Sequence, residues 1–94
     1  MKNKYYFYIL LCKDKSLYCG IAKDIVKREK LHNAGKGSAY VRSRGGGKIV
    51  YSKLFYSISS ALKREAEVKT WTRKEKLKLV KKNEALIRVD KRSR

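Results

Sequence analysis

Tyr5-Tyr6-Phe7-Tyr8-Ile9-Leu10-Leu11-Cys12, then Lys13-Asp14-Lys15, then Ser16-Leu17-Tyr18-Cys19-Gly20-Ile21-Ala22, is the stretch whose reading decides the fold. The first segment is aromatic and aliphatic on both alternating faces and carries no helix cap. It reads as a strand covered on both sides. Lys13-Asp14-Lys15 has turn chemistry, and Ser16 to Ala22 is a shorter strand interrupted by Gly20. The pair is predicted to be a hairpin. Opposed hairpin residues share a face. A three-residue loop with Cys12 opposite Ser16 therefore puts Tyr8 and Tyr18 on one face, whereas a two-residue loop puts them on opposite faces.

Downstream of the hairpin, Asp24 is an N-cap for a helix from Ile25 to about Asn33, and Ala34-Gly35 supplies its stop. Residues 35–48 form a Gly- and Arg-rich loop. From Lys48 to Tyr56 the chain alternates as a third strand, with Ile49, Tyr51, Lys53 and Phe55 on one side and Val50, Ser52, Leu54 and Tyr56 on the other. Ser59 opens a helix running to about Trp71, on which Ala61, Leu62, Glu65 and Val68 adjoin. Thr72-Arg73-Lys74-Glu75 is a capping box that starts a further helix, with Leu77, Val80 and Leu86 on one side. The expected class is α+β. One domain spans residues 1–90, and residues 91–94 form a frayed basic tail.

Composition narrows the partners. The chain has 94 residues, with 26 Lys and Arg against 8 acids, for a formal charge of +18. Thirteen of those bases precede residue 63 and thirteen lie from residue 63 onward, so the charge belongs to the whole surface and not to a tail. Such a field concentrates polyanions and points to nucleic acid. No apolar run approaches the roughly 18 residues of a membrane span, and the bases do not face a lipid-binding stripe. Cys12 and Cys19 are the only cysteines and fall on strands with apolar neighbours. They are expected to be buried free thiols, in keeping with a cytoplasmic chain.

Several residues could carry chemistry. Strand tyrosines such as Tyr8 and Tyr18 ordinarily serve the core with a satisfied hydroxyl. Gly20 says more, because glycine inside a short strand often marks close approach of a ligand or another backbone. Arg28 and His32 lie four apart, on one helical face. There an arginine can fork onto a phosphate and a histidine can hold or shuttle a proton. Glu65 sits near the inward side of its helix, where a carboxylate needs a basic partner or a cation; Glu67 lies off that face. The Gly-rich loop offers backbone N–H groups to phosphates but lacks the Gly-Lys-Ser/Thr ending of a nucleotide-binding loop.

The order of these signals resembles the GIY-YIG nuclease superfamily, in its small stand-alone bacterial form. The resemblance covers roughly residues 5–80. It is carried by Tyr8-Ile9-Leu10, Ser16-Leu17-Tyr18-Cys19-Gly20-Ile21, His32-Asn33-Ala34-Gly35-Lys36-Gly37 and Ala61-Leu62-Lys63-Arg64-Glu65. It implies a three-stranded antiparallel sheet flanked by helices. It also implies that Tyr8 and Tyr18 are the motif tyrosines, that Gly20 closes the second motif, and that Arg28 holds the scissile phosphate beside His32. Glu65 would be the single ligand of Mg2+ or Mn2+. The chain departs from the pattern at Tyr6-Phe7-Tyr8, which lacks the first-motif glycine, and at Cys19, which replaces a branched residue.

The implied activity is metal-dependent hydrolysis of a phosphodiester by an endonuclease-like enzyme, on DNA before RNA, in repair or recombination. Tyr18, helped by Tyr8 or His32, would orient or deprotonate the attacking water, and either tyrosine could be the base. Gly20, Lys23, Lys36, Arg42 and Arg44 are expected to contact nucleic acid, and a partner protein could supply specificity. The alternative is a non-catalytic DNA- or RNA-binding module on the same fold. A working site would place Tyr8, Tyr18, Arg28, His32 and Glu65 on one concave, basic surface on one face of the sheet.

Overall fold

The computed structural model describes residues 3–92, with side chains described as far as Lys82. The chain runs β1 (Tyr5–Cys12), β2 (Leu17–Ala22), α1 (Ile25–Asn33), α2 (Ala39–Ser43), β3 (Gly47–Phe55), α3 (Ile58–Lys69) and α4 (Arg73–Arg92). The three strands make one antiparallel sheet in the order β2-β1-β3. The strand that reads as apolar on both faces is therefore the central one. Phe7 and Ile9 point to one side, where they pack with Cys19, Val68 of α3 and Val80 of α4. Tyr8, Leu10 and Cys12 point to the other, with Ala22 and Val41 of α2. Burying each large apolar side chain contributes about 1.5–3 kcal/mol, so the four consecutive buried residues Phe7 to Leu10 are a principal anchor of the fold.

The hairpin closes with the odd loop. Lys15 N–H donates to the Cys12 carbonyl at 2.9 Å and Cys12 N–H to the Ser16 carbonyl at 2.9 Å. Lys15 takes the left-handed conformation, φ 75°, which is the usual third residue of such a loop. Asp14 steadies the turn by accepting from Ser16 N–H at 3.0 Å. Tyr8 consequently pairs with Gly20 and Leu10 with Tyr18, so both tyrosines face the α1 side. Cys12 and Cys19 are buried and free. They lie in clusters on opposite faces of the sheet, so no disulfide can join them.

On β3 the expected alternation breaks. Ile9 pairs with Tyr51 but Leu10 pairs with Ile49, so Val50 is an extra, bulged residue. Ile49 turns to the α1 side while Tyr51 and Phe55 pack on the α3 and α4 side. Ile49, Tyr51 and Phe55 therefore do not share a face, contrary to the plain period-two reading.

Helix α1 has one buried residue, His32, and exposes Val26 and Leu31. Polar bonds fix it to the neighbouring edge of β3. The Asn33 amide donates to the Gly47 carbonyl at 2.9 Å and its oxygen accepts from Gly47 N–H at 2.9 Å. Glu29 accepts from Ile49 N–H at 3.1 Å. Asp24 caps the helix by accepting from Lys27 N–H at 3.0 Å. These bonds also cover part of an exposed sheet edge.

The Gly-rich segment differs from the loop expected over 35–48. Ser38 caps the short helix α2 and buries Val41 against the sheet. The N–H groups of Arg44, Gly45 and Gly46 donate to carbonyls of α2, and that of Gly47 to Asn33. Those amides are spent within the chain and do not form a phosphate-wrapping nest.

Helix α3 is capped by Ser57, two residues before the expected Ser59. Ala61 and Val68 face inward as expected, but Leu62 is half exposed. The capping box at the start of α4 forms as read, with Thr72 N–H donating to Glu75 at 3.0 Å. Ser93 and Arg94, at the end of the expected frayed tail, lie outside the described residues, as does the side chain of Leu86. No described helix is long and apolar enough to cross a membrane.

Candidate functional site

The site is built around the Tyr8 hydroxyl. β1 carries Tyr8 in the sheet centre, and its ring lies across Gly20 on the edge strand β2. A Cβ on Gly20 would stand 2.5 Å from Tyr8 Oη and 2.6 Å from Cζ. The second-motif glycine is thus the floor beneath the first-motif tyrosine, where no side chain fits. Tyr18, two residues from Gly20 along β2 and on the same face, brings its ring within 6.3 Å of the Tyr8 ring. From α1, His32 Nε2 lies 2.8 Å from Tyr8 Oη, and the His32 ring is 5.5 Å from that of Tyr18.

Arg28, one turn before His32, is half-buried. Its charge acts on both Tyr8 and His32. Glu65 comes from α3, which packs on the opposite face of the sheet, so the expected placement of all five side chains on one face does not hold for Glu65. Its carboxylate acts on Tyr8 on one face and on Cys19 on the other. The side chain of Glu65 is mostly enclosed and is paired with Lys69 at 3.4 Å. Glu67 is exposed and paired with Arg64. Tyr18 and His32 therefore gather around the Tyr8 hydroxyl, with the Arg28 charge acting on it from α1, whereas Glu65 bears on it only electrostatically, from the helix on the other face.

Burial dominates the electrostatics. It raises the Tyr8 pKa to about 12, with Tyr18 and Glu65 adding to the rise and Arg28 opposing it. A tyrosine so protected does not take a proton from water near neutral pH. Burial also pushes the His32 pKa below 6.5, and the Arg28 charge pushes it the same way. A neutral buried ring stabilises the fold fully above its unfolded value of 6.5, and that contribution is lost as the pH falls from there towards the lower folded value. Between about pH 7.5 and 5.5, Tm should therefore drop more steeply for the wild type than for a His32→Gln variant. Parallel Tm profiles would show that His32 is not held neutral.

The other candidates divide. Lys23, Lys36 and Arg42 are exposed and available to a polyanion. Lys23, Lys27, Arg28 and Leu31 line an open depression of about 420 Å³ beside the site. Arg44 is occupied: its guanidinium lies 3.7 Å over the Tyr40 ring and pairs with Asp14 at 3.3 Å. Tyr40 in turn stacks on Tyr18 at 5.8 Å. Tyr40 is thus a neighbour of the site that sequence reasoning missed. Its only signal was an aromatic residue within a basic, Gly-rich segment.

Among the described residues, no group of three or more His, Cys, Asp or Glu converges to hold a metal ion. Mg2+ is commonly held by one or two carboxylates, with water and substrate phosphate completing its shell. One enclosed carboxylate, Glu65, beside a basic surface suits that mode and does not suit an all-protein cage.

Comparison with known proteins identifies the family. Residues 4–78 match the GIY-YIG catalytic domain model. The chain belongs to the GIY-YIG family. It is similar to proteins designated UPF0213, among them SSP2268 of Staphylococcus saprophyticus, 51% identical over 78 residues, covering 83% of this chain and 95% of that one. SH2523 of Staphylococcus haemolyticus is 46% identical over 77 residues, covering 82% and 94%. In solved structures, the UPF0213 protein BH0048 of Bacillus halodurans matches with a TM-score of 0.54 at 42% identity, covering 83% of each chain. Protein EF2693 of E. faecalis matches with a TM-score of 0.59 at 36% identity, covering 90% of this chain and 93% of that one.

Proposed function

We propose that this protein is a divalent-metal-dependent phosphodiester hydrolase of the endonuclease kind, acting on DNA in preference to RNA, with a place in DNA repair or recombination. The observation that carries the reading is the gathering of Tyr18 and His32 around the Tyr8 hydroxyl with Arg28 beside them, and the enclosed Glu65 carboxylate within electrostatic reach. In this reading Arg28 forks onto the scissile phosphate and offsets charge that grows in the transition state. Tyr18, half-exposed where Tyr8 is enclosed, orients the attacking water. Tyr8 and His32 form a neutral layer behind them. Glu65 would hold Mg2+ or Mn2+, which supplies Lewis-acid polarisation of the phosphate when bound. Lys23, Lys36 and Arg42 would draw the nucleic-acid backbone to the site. The buried, unbridged thiols fit a cytoplasmic chain, and a partner protein would add specificity that so small a surface lacks.

Incubation with branched, nicked and linear DNA, with and without Mg2+ or Mn2+, tests the reading. Metal-dependent cleavage is expected. Complete burial of Tyr8 favours one competitor, a non-catalytic nucleic-acid-binding module. Salt-sensitive binding without cleavage of any substrate would establish that competitor instead.

Affinity should fall steeply with salt on either reading, given the charge of +18. If the protein neutralises about five phosphates, log K should fall with log salt at a slope near −4 to −5 on duplex DNA. A flat profile would refute a charge-driven polyanion partner.

A further inference from the structure

His32 has two ring nitrogens, and the structure gives each a different neighbour. Nε2 lies 2.8 Å from Tyr8 Oη. Nδ1 receives the backbone N–H of Ser38 at 3.3 Å. A backbone amide can only donate, so the nitrogen it meets carries no hydrogen. The ring is almost fully enclosed, and burial favours its neutral form. A neutral imidazole unprotonated at Nδ1 has its hydrogen on Nε2.

The turn that delivers this amide is shaped for the purpose. Gly37 lies so close that a Cβ there would overlap His32 Nδ1. The preceding Lys36 N–H is tied to the Leu31 carbonyl at 2.9 Å, and Ser38 is held as the cap of α2 by accepting from Tyr40 N–H at 3.1 Å. The string His32-Asn33-Ala34-Gly35-Lys36-Gly37 thus returns the chain onto its own first residue.

We propose that the Gly37-Ser38 turn is a positioning element of the site: the Ser38 amide holds His32 in the Nε2–H tautomer, so that His32 donates to Tyr8 Oη and Tyr8 keeps its own hydroxyl hydrogen as a donor. His32 is then not the acceptor of the Tyr8 proton, and the pair does not act as a base. It forms a fixed, uncharged hydrogen-bonded layer behind Arg28, so that Arg28 and not the buried pair meets a phosphate oxygen. That use rests on the phosphodiester reading above; the tautomer does not.

The chain has a single histidine, so a long-range 15N–1H correlation spectrum of the tag-free, 15N-labelled protein near neutral pH reads the tautomer directly. One protonated Nε2 and one unprotonated Nδ1 are expected. The reverse tautomer, or a mixed pattern, overturns the proposal. Tyr8→Phe should leave the tautomer unchanged, because Ser38 sets it; a switch in that variant would assign control to Tyr8 and overturn the role of the turn. Gly37→Ala should displace the turn and lose the single-tautomer pattern while the backbone amide spectrum stays folded. A folded Gly37→Ala protein with the wild-type tautomer also overturns it, and if that variant does not fold, the first two spectra still decide. Failure to cleave DNA with the expected tautomer present would count against the nuclease reading alone.

Discussion

Replacing Glu65 with glutamine should lower metal-dependent DNA cleavage by at least about 10³-fold while DNA affinity stays within roughly twofold. A bound divalent cation supplies several kcal/mol of transition-state stabilisation, and about 4 kcal/mol corresponds to that loss of rate. Glutamine keeps the shape of Glu65 but removes the charge that a hard cation requires. Its ion pair with Lys69 is a single partly exposed contact, and such pairs contribute little to stability. The variant should therefore remain folded, which a circular dichroism melt would verify. Affinity should survive because the field that attracts the backbone comes from 26 basic residues, none of which is changed. Equal cleavage by wild type and variant would point to a contaminating nuclease and sink the assignment.

The second large effect is structural. Gly20→Ala should destabilise the protein by about 1–3 kcal/mol, the usual cost of overpacking a filled core. At roughly 4–8 °C per kcal/mol for a domain of this size, Tm should fall by roughly 5–20 °C. The cause is specific, because the new methyl would meet Tyr8 Oη at 2.5 Å and Cζ at 2.6 Å. The ring cannot move aside easily, since it is fully buried and its hydroxyl is bonded to His32. The penalty should shrink in a Tyr8→Phe background, where the nearest clashing atom is gone. A double-mutant cycle would measure that coupling. A Gly20→Ala protein that melts with the wild type would mean that Tyr8 does not lie on Gly20.

What the sequence determined by itself was local in origin. The strand character of Tyr5 to Cys12, the Asp24 cap and the capping box at Thr72 follow from residue type and short spacing. So does the placement of Arg28 and His32 on one side of a helix, since i and i+4 are neighbours by geometry. Even the shared face of Tyr8 and Tyr18 hung on one local quantity, the hairpin loop length, and Lys15 in the left-handed region settled it as three residues.

Only the tertiary structure decided the rest. The bulge at Val50 flips the faces of β3, and α2 forms inside a segment that reads as loop because its sole buried residue is Val41. Arg44 is withdrawn from the nucleic-acid surface by Tyr40 and Asp14, residues that no spacing rule links to it. Glu65 influences Tyr8 from a helix on the far side of the sheet. The protonation pattern of His32 depends on an amide six residues away that arrives through a turn. Sequence periodicity shows which face a residue takes on its own element. What it meets there depends on how the elements pack, and for this protein packing sets the environment of every group in the site.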